Sequence, residues 1–486
     1  MECSIGLVRR RLFGLLVLLL FPSTAGAAPV VVLTPAGHAV HRNDPYLTMP
    51  AVTPAPAAAA VTAASKPKPK AKERTVRTEL VRLRNSRAIT SSQYRRYNGS
   101  FSAALASEKR LRGTRRNELE AVVENLHNIA ASGGLWPTRL PVLFETLDRN
   151  RQWWTTGPML ASGQRVEFSG SELVWQYYPG QGIELQVLGT FGKADGLYTA
   201  GSAAYPQLVD LLSEMIPLAA RRGGGLTWEY YFKFDGGIPP WTSAMSQGTG
   251  LEALTRGYLA THDASYLQIA EQALPIFSTA PKVGVRERTP VGARYLQYSF
   301  APGTDIINAF LQSLIGLYDY AQTSGSRRAK ALFAAGNAQA QFELPRFDTG
   351  AWSLYQPGVE DNLSYHELVT GFLDQLCTRT AALAYCDTAE HFHAYLTTPP
   401  TLQLLTGRLK AKKPGTVRFR LSKVSHVGIV LVRGTTTAFA TSASFSYGVH
   451  TFTIPALKHS GTYTVRLAAT DLAGNFGRIV GTLQVS

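Results

Sequence analysis

The sequence predicts a multidomain, mainly α protein: an α/α toroid, that is an incomplete α/α barrel, followed by a small antiparallel β-sandwich. Three observations carry this. Apolar stripes at helical spacing recur in pairs between residues 135 and 398; after Pro399-Pro400 the texture changes to short alternating segments; and an Ala/Pro-rich stretch tipped with lysines precedes both. With 486 residues and 45% hydrophobic content, the chain can bury a sizeable core, which excludes a wholly disordered protein.

Taken in order, residues 1–27 have the build of a signal peptide: Arg9, Arg10 and Arg11, an apolar run from Leu12 to Phe21, then small residues ending at Ala27. The run is about ten residues long where a membrane span needs about twenty, so cleavage is expected in preference to an uncleaved anchor. No later stretch reads as a span, and the mature chain is expected to be secreted or held at the cell surface. Residues 28–73, closing on Lys66-Pro67-Lys68-Pro69-Lys70, read as a disordered Ala/Pro/Lys-rich linker, either a plain spacer or a tether to wall or surface glycan. Residues 74–134 read as a helical hairpin turning near Tyr97-Asn98-Gly99.

The toroid is expected over 135–398. Its stripes include Leu208, Leu211, Leu212 and Met215; Leu251, Leu254 and Tyr258; Ile307, Phe310, Leu311 and Leu314; and Leu368, Val369, Phe372 and Leu373. Paired helices bring their connecting loops to one mouth and build a cleft there, and the extended pieces Leu226–Phe234 and Arg294–Phe300 are expected at that mouth. Residues 401–486 hold segments such as Thr416–Leu421, Val427–Val432 and Tyr463–Ala468, separated by Gly, Ser and Asn turns, which describe the sandwich. Its Gly461–Val465 and Ala469–Asn475 pieces resemble the last hairpin of bacterial immunoglobulin-like or fibronectin-like modules.

Charge is uneven. Residues 1–120 hold 20 basic and 7 acidic side chains and residues 401–486 hold 11 and 1, while the span between holds 18 and 25. Basic flanks favour polyanions, and export removes nucleic acid as a physiological partner, leaving anionic lipid and acidic polysaccharide open. Cys377 and Cys386 are spaced for a disulfide or for two buried thiols; metal-ligand spacing is absent, and no cofactor is implied. Gly223-Gly224-Gly225 lacks the lysine and the strand–turn–helix setting of a phosphate cradle.

Four segments in order resemble the C-terminal catalytic domain of D-glucuronyl C5-epimerases: Trp241-Thr242-Ser243-Ala244-Met245-Ser246-Gln247-Gly248, Asn308–Asp319, Phe347-Asp348-Thr349-Gly350 leading to Tyr355, and Asn362-Leu363 followed by Tyr365-His366. The resemblance extends back to Trp175–Gly182. It implies proton abstraction at C5 of a uronate and return of a proton on the opposite face, with Tyr298, Tyr355 and Tyr365 as the catalytic tyrosines. Substrate contacts would come from Trp241, Gln247, Gln297, Asn308, His366, Tyr177 and Tyr178. Gln297 stands where the family has a glutamate, and an amide cannot accept a proton as a base. Glu360 and Asp361 are the nearest carboxylates in sequence. The readings that follow are an exported uronic-acid C5-epimerase on an acidic polysaccharide, a non-catalytic glycan-binding or wall-associated protein, and a polyuronide lyase. A glycoside hydrolase would need paired carboxylates, and no motif pairs Glu172, Glu184 or Glu229.

Overall fold

The computed structural model describes residues 28–47 and 74–486. The signal-peptide reading of residues 1–27 and the linker reading of 48–73 lie outside these residues. Residues 28–47, however, correct the linker reading. Strands β1 (Ala28–Leu33) and β2 (Ala39–Asp44) pair with each other, and β1 runs parallel to β3 (Arg165–Phe168). With β4 (Trp175–Tyr178) and β5 (Gly182–Leu185) they make a five-stranded sheet in the order β2-β1-β3-β4-β5. The run Val30-Val31-Val32-Leu33 is rich in β-branched valine and buries Val30, Val31 and Leu33, and its partner strand lies more than a hundred residues downstream, so the Ala/Pro average of the window concealed it.

The expected single hairpin over 74–134 is three helices, α1 (Val76–Asn85), α2 (Ser91–Arg110) and α3 (Gly113–Ala131), followed by α4 (Leu140–Thr156). Helix α2 runs straight through Tyr97-Asn98-Gly99, because Tyr97 and Phe101 both bury on its inner face and Gly99 faces open space. The breaks fall instead at capping boxes, Thr75 with Thr78 and Thr90 with Gln93. One hydrophobic core runs from Val31 to Phe392, so residues 74–134 pack into the same body as residues 135–398.

The toroid consists of four helical hairpins, α5 (Val187–Thr199) with α6 (Tyr205–Met215), α7 (Ala244–Thr261) with α8 (Ser265–Ala273), α9 (Ile307–Ser324) with α10 (Arg327–Glu343), and α11 (Leu363–Thr380) with α12 (Leu383–Tyr395). The first helix of each hairpin lies on the inside: α7 packs against α5 and α9, and α11 packs against α9. Helices α7 and α9 meet at glycines, and a Cβ on Gly316 would stand 1.9 Å from the Gly248 carbonyl oxygen. Three small hairpins enter the inner helices at one mouth: β6 (Ala220–Arg222) with β7 (Gly225–Thr227), β8 (Arg286–Arg288) with β9 (Ala293–Tyr295), and β10 (Leu354–Gln356) with β11 (Val359–Glu360). Of the two states left open for Cys377 and Cys386, the structure has the disulfide, joining α11 to α12. No helix among the described residues is long and apolar enough to cross a membrane.

The sandwich has its own core around Val417, Phe419, Ile429 and Val465. One sheet orders β12 (Leu402–Leu404), β14 (Gly415–Leu421) and β17 (Gly448–Ile454); the other orders β13 (Arg408–Leu409), β19 (Phe476–Val485), β18 (Gly461–Asp471), β15 (Ser425–Arg433) and β16 (Thr436–Phe445). All neighbours are antiparallel except β13 with β19. The sandwich is fastened to the toroid by polar contacts. Lys423, 1% exposed, pairs with Asp471 at 2.6 Å and donates to the Tyr395 carbonyl at 2.7 Å, and Asn475 Nδ2 donates to the Leu396 carbonyl at 2.9 Å.

Candidate active site

Each inner helix sends a residue of its first turn into one pocket at the mouth: Leu188, Met245, Asn308 and Tyr365. Tyr298 and Tyr355 complete the wall, so three tyrosines far apart in sequence converge there. Local structure fixes each of them. Asn362 caps α11 by accepting the Tyr365 N–H at 2.9 Å. The piece bearing Tyr298 is tied to the Trp241 loop by Ser299 N–H to the Thr242 carbonyl, 2.9 Å, and Thr242 N–H to Ser299 Oγ, 3.1 Å. Tyr355 stands on β10, its ring 5.3 Å from that of Tyr365. Gln297 and Asn308 share the pocket, and the Gln297 oxygen and both polar atoms of the Asn308 amide are buried without a protein partner. Buried amides with free hydrogen-bonding capacity are costly unless a ligand uses it.

Beside this pocket lies an aromatic recess walled by Tyr178, Tyr230, Phe232, Phe234, Trp241 and Tyr298. Among the described residues no Lys or Arg lines either space. The positive potential available to an anionic group comes instead from the N-terminal ends of α5, α7, α9 and α11, which all point at the mouth. A larger cavity of about 640 Å³ runs between the inner helices farther from the tyrosines. Its charges are satisfied by one another, Arg256 pairing with Asp195 at 2.9 Å and with Glu252 at 2.5 Å.

Burial raises all three phenols above their ordinary pKa; for Tyr298 the neighbouring Tyr355 and Tyr365 add to the effect. At neutral pH they are proton donors. Asp361, 1% exposed, is pushed up to about 7 by burial. His366 is fully buried, is lowered to about 4 by desolvation, and stacks on Trp352 at 3.8 Å. Its Nε2 lies 3.0 Å from the Phe392 carbonyl, an acceptor only, so the neutral ring carries its proton there and Nδ1 accepts. Ser353 Oγ stands 2.7 Å from that Nδ1 and 2.6 Å from Asp361 Oδ2. One hydroxyl hydrogen cannot serve both. It goes to His366 when Asp361 is protonated and to Asp361 when the carboxylate is ionised.

Residues 223–394 match the model of the D-glucuronyl C5-epimerase C-terminus. This segment is similar to that family. A D-glucuronyl C5-epimerase of Caenorhabditis elegans is 36% identical over 132 residues, 24% of this chain and 21% of that protein. An uncharacterized protein of Methanocaldococcus jannaschii is 26% identical over 151 residues, 29% of this chain and 49% of its own length. The chain thus spans about a fifth and about half of these two relatives. Among solved structures, cellobiose 2-epimerase from Bacillus thermoamylovorans superposes with a TM-score of 0.32 at 14% identity, covering 43% of this chain and 58% of that one.

Within the matched segment, the structure brings together Tyr298, Tyr355, Tyr365, Gln297 and Asn308, with Trp241 at the adjoining recess. Tyr178, upstream of the segment, reaches the recess too, its hydroxyl accepting from Gln186 Nε2 at 2.8 Å. Three expected substrate contacts are corrected. Tyr177 points to the opposite face of β4, where its hydroxyl donates to Glu118 at 2.8 Å. Gln247 spends its amide on the Trp228 backbone, donating to the carbonyl at 2.8 Å and accepting the N–H at 3.2 Å. His366 is buried and neutral, unable to counter a substrate carboxylate. Glu229 is held by Arg139 and Arg222, Glu172 by Lys193, and Glu360 by the sandwich, so these carboxylates are committed elsewhere. The piece Leu226–Phe234, expected at the mouth, supplies Tyr230, Phe232 and Phe234 to the recess. Sequence reasoning missed the Asp361–Ser353–His366 chain, because an isolated serine gives no signal of such grouping.

Proposed function

We propose that this chain is an exported uronic-acid C5-epimerase acting on an acidic polysaccharide. The observation that supports it best is the convergence of three protonated tyrosines with the unpaired Asn308 amide and the unpaired Gln297 oxygen in one pocket. A C5 proton lies next to a carboxylate, so removing it builds charge onto that group, and the Asn308 Nδ2 donor with the helix ends would take that charge up. A protonated phenol can return the proton on the other ring face. The candidate for the carboxylate absent at Gln297 is Asp361, which burial pushes up to about 7; it stands behind Ser353 and not in the pocket wall, and its charge raises Tyr355 and Tyr365 further, keeping them protonated.

Epimerisation exchanges the C5 proton with solvent whatever the product ratio, so incubation of polyuronides in deuterated water reports turnover directly. Deuterium at C5 without chain cleavage is expected, reduced about 10²–10⁴-fold by Tyr365→Phe, which removes one oxygen and keeps the ring. An unsaturated, ultraviolet-absorbing chain end would mean a lyase. Measurable binding with no exchange across a broad panel would favour the glycan-binding reading, which the amide at Gln297 supports.

A further inference from the structure

Tyr355 stands on a hairpin of two very short strands, with Leu354 opposite Glu360 and Gln356 opposite Val359 across the turn Pro357-Gly358. A hairpin this small does not hold its shape unaided. On one side it is anchored by Trp352, whose Nε1 donates to the Asp361 carbonyl at 2.9 Å. The other anchor is the sandwich. Glu360 Oε1 accepts the Val424 N–H at 2.7 Å and Oε2 accepts the Tyr447 N–H at 2.6 Å, so one carboxylate grips two separate turns of that domain. Both turns cross between the two sheets of the sandwich, β14 to β15 and β16 to β17. The first turn is locked further by Lys423, buried beside it with its ammonium 5.2 Å over the Trp352 ring.

We propose that Glu360 is a positioning residue for Tyr355, through which the C-terminal sandwich sets the geometry of the pocket. The proposal rests on the reading of Tyr355 as an acid/base group. A carboxylate bonded to two backbone amides is a directional, charge-assisted contact. Glu360 lies directly opposite Leu354, the residue before Tyr355, so a shift of one is passed to the other across the pair. Loss of the grip frees the hairpin to move by an ångström or so, enough to cost about 100-fold in a positioned proton transfer.

The test uses the full chain with 3-fluorotyrosine, observed by 19F NMR. Because the chain has 21 tyrosines, the Tyr355 and Tyr298 lines are assigned from Tyr355→Phe and Tyr298→Phe. Glu360→Gln keeps the shape but turns one acceptor into a donor facing an N–H, and Glu360→Ala removes the grip. Both are expected to shift or broaden the Tyr355 line, and the line of its pocket neighbour Tyr298 to a smaller degree. C5 exchange is expected to fall about 10–100-fold in kcat with KM nearly unchanged. A Tyr355 line unmoved in both variants overturns the proposal, as does a moved line with an unaltered exchange rate. If the wild-type protein exchanges no polymer, the epimerase reading fails, and the NMR comparison still decides whether Glu360 positions the tyrosine.

Discussion

Lys193→Met tests how residues 28–47 are bound into the helical body. Lys193 is fully buried on α5 and reaches Glu172 at 2.8 Å, Glu167 on β3 at 3.0 Å and Asp44 at the end of β2 at 3.2 Å. Methionine fills similar volume but leaves these carboxylates without their shared cation. Glu172 is partly exposed and keeps Gln207, Glu167 keeps Arg42, and Asp44 keeps a distant Arg42 at 3.8 Å and the Tyr46 N–H, so the loss falls mainly on buried Asp44 and partly on Glu167. Removing one partner of a buried pair costs about 3–5 kcal/mol, and the surviving partners place this one near 3 kcal/mol. All seven tryptophans lie between residues 136 and 352, so their fluorescence in urea follows the helical body alone. At a slope of about 3 kcal/mol/M, the midpoint should drop by about 1 M.

The pH dependence supplies a second check on the same variant. In the wild type, Lys193 is raised by its carboxylates against desolvation, so its contribution is present below its ordinary value and is lost only as pH rises through a still higher one. Asp44 is lowered, chiefly by Lys193 against burial, so its contribution is present above the ordinary carboxylate range and is lost as pH falls. Burial already holds Glu167 above its usual value. Without the lysine both acids shift upward in the folded state, which then binds more protons than the unfolded one. The deficit of the variant should therefore be largest near pH 8 and shrink toward pH 4.5. A deficit under about 1 kcal/mol, or one equal at pH 5 and pH 8, would refute the reasoning.

Two further outcomes follow from the packing. His366 should keep its Nε2-protonated, neutral form in 15N-histidine NMR down to about pH 4, and titration near its ordinary value would show the ring to be solvated. Because its folded value is depressed, its share of stability is present above about 6.5 and is lost as pH falls from there toward 4. Gly316→Ala places a methyl against the Gly248 carbonyl, where only backbone movement can relieve it; a cost of about 3 kcal/mol or more in urea unfolding is expected, and a change within about 0.5 kcal/mol would mean that α7 and α9 are not so closely packed.

Helices α6, α7, α9 and α11 were legible because each advertises itself locally through an apolar stripe such as Ile307–Leu314. The sandwich strands were legible through alternation, as in Val417, Phe419 and Leu421, whereas β16, rich in Thr, Ser and Ala at an edge, buries little and left no pattern. The three tyrosines were found because the motifs around them lie in order along the chain. What sequence alone could not decide was direction and partnership. Tyr177 and Tyr178 are neighbours, yet a strand turns successive side chains to opposite faces, and only Tyr178 meets the recess. Gln247 and His366 sit inside the motifs but are spent on a backbone segment and on a buried hydrogen-bond chain. The pairing of Val30–Leu33 with a strand at 165–168, the grip of Glu360 on the sandwich and the rise of Asp361 toward neutrality all depend on residues distant in the chain. Local propensity and spacing fixed the elements and the residues brought to the mouth; burial, register and charge pairing, which exist only after the chain has closed on itself, decided which of those residues are free to act.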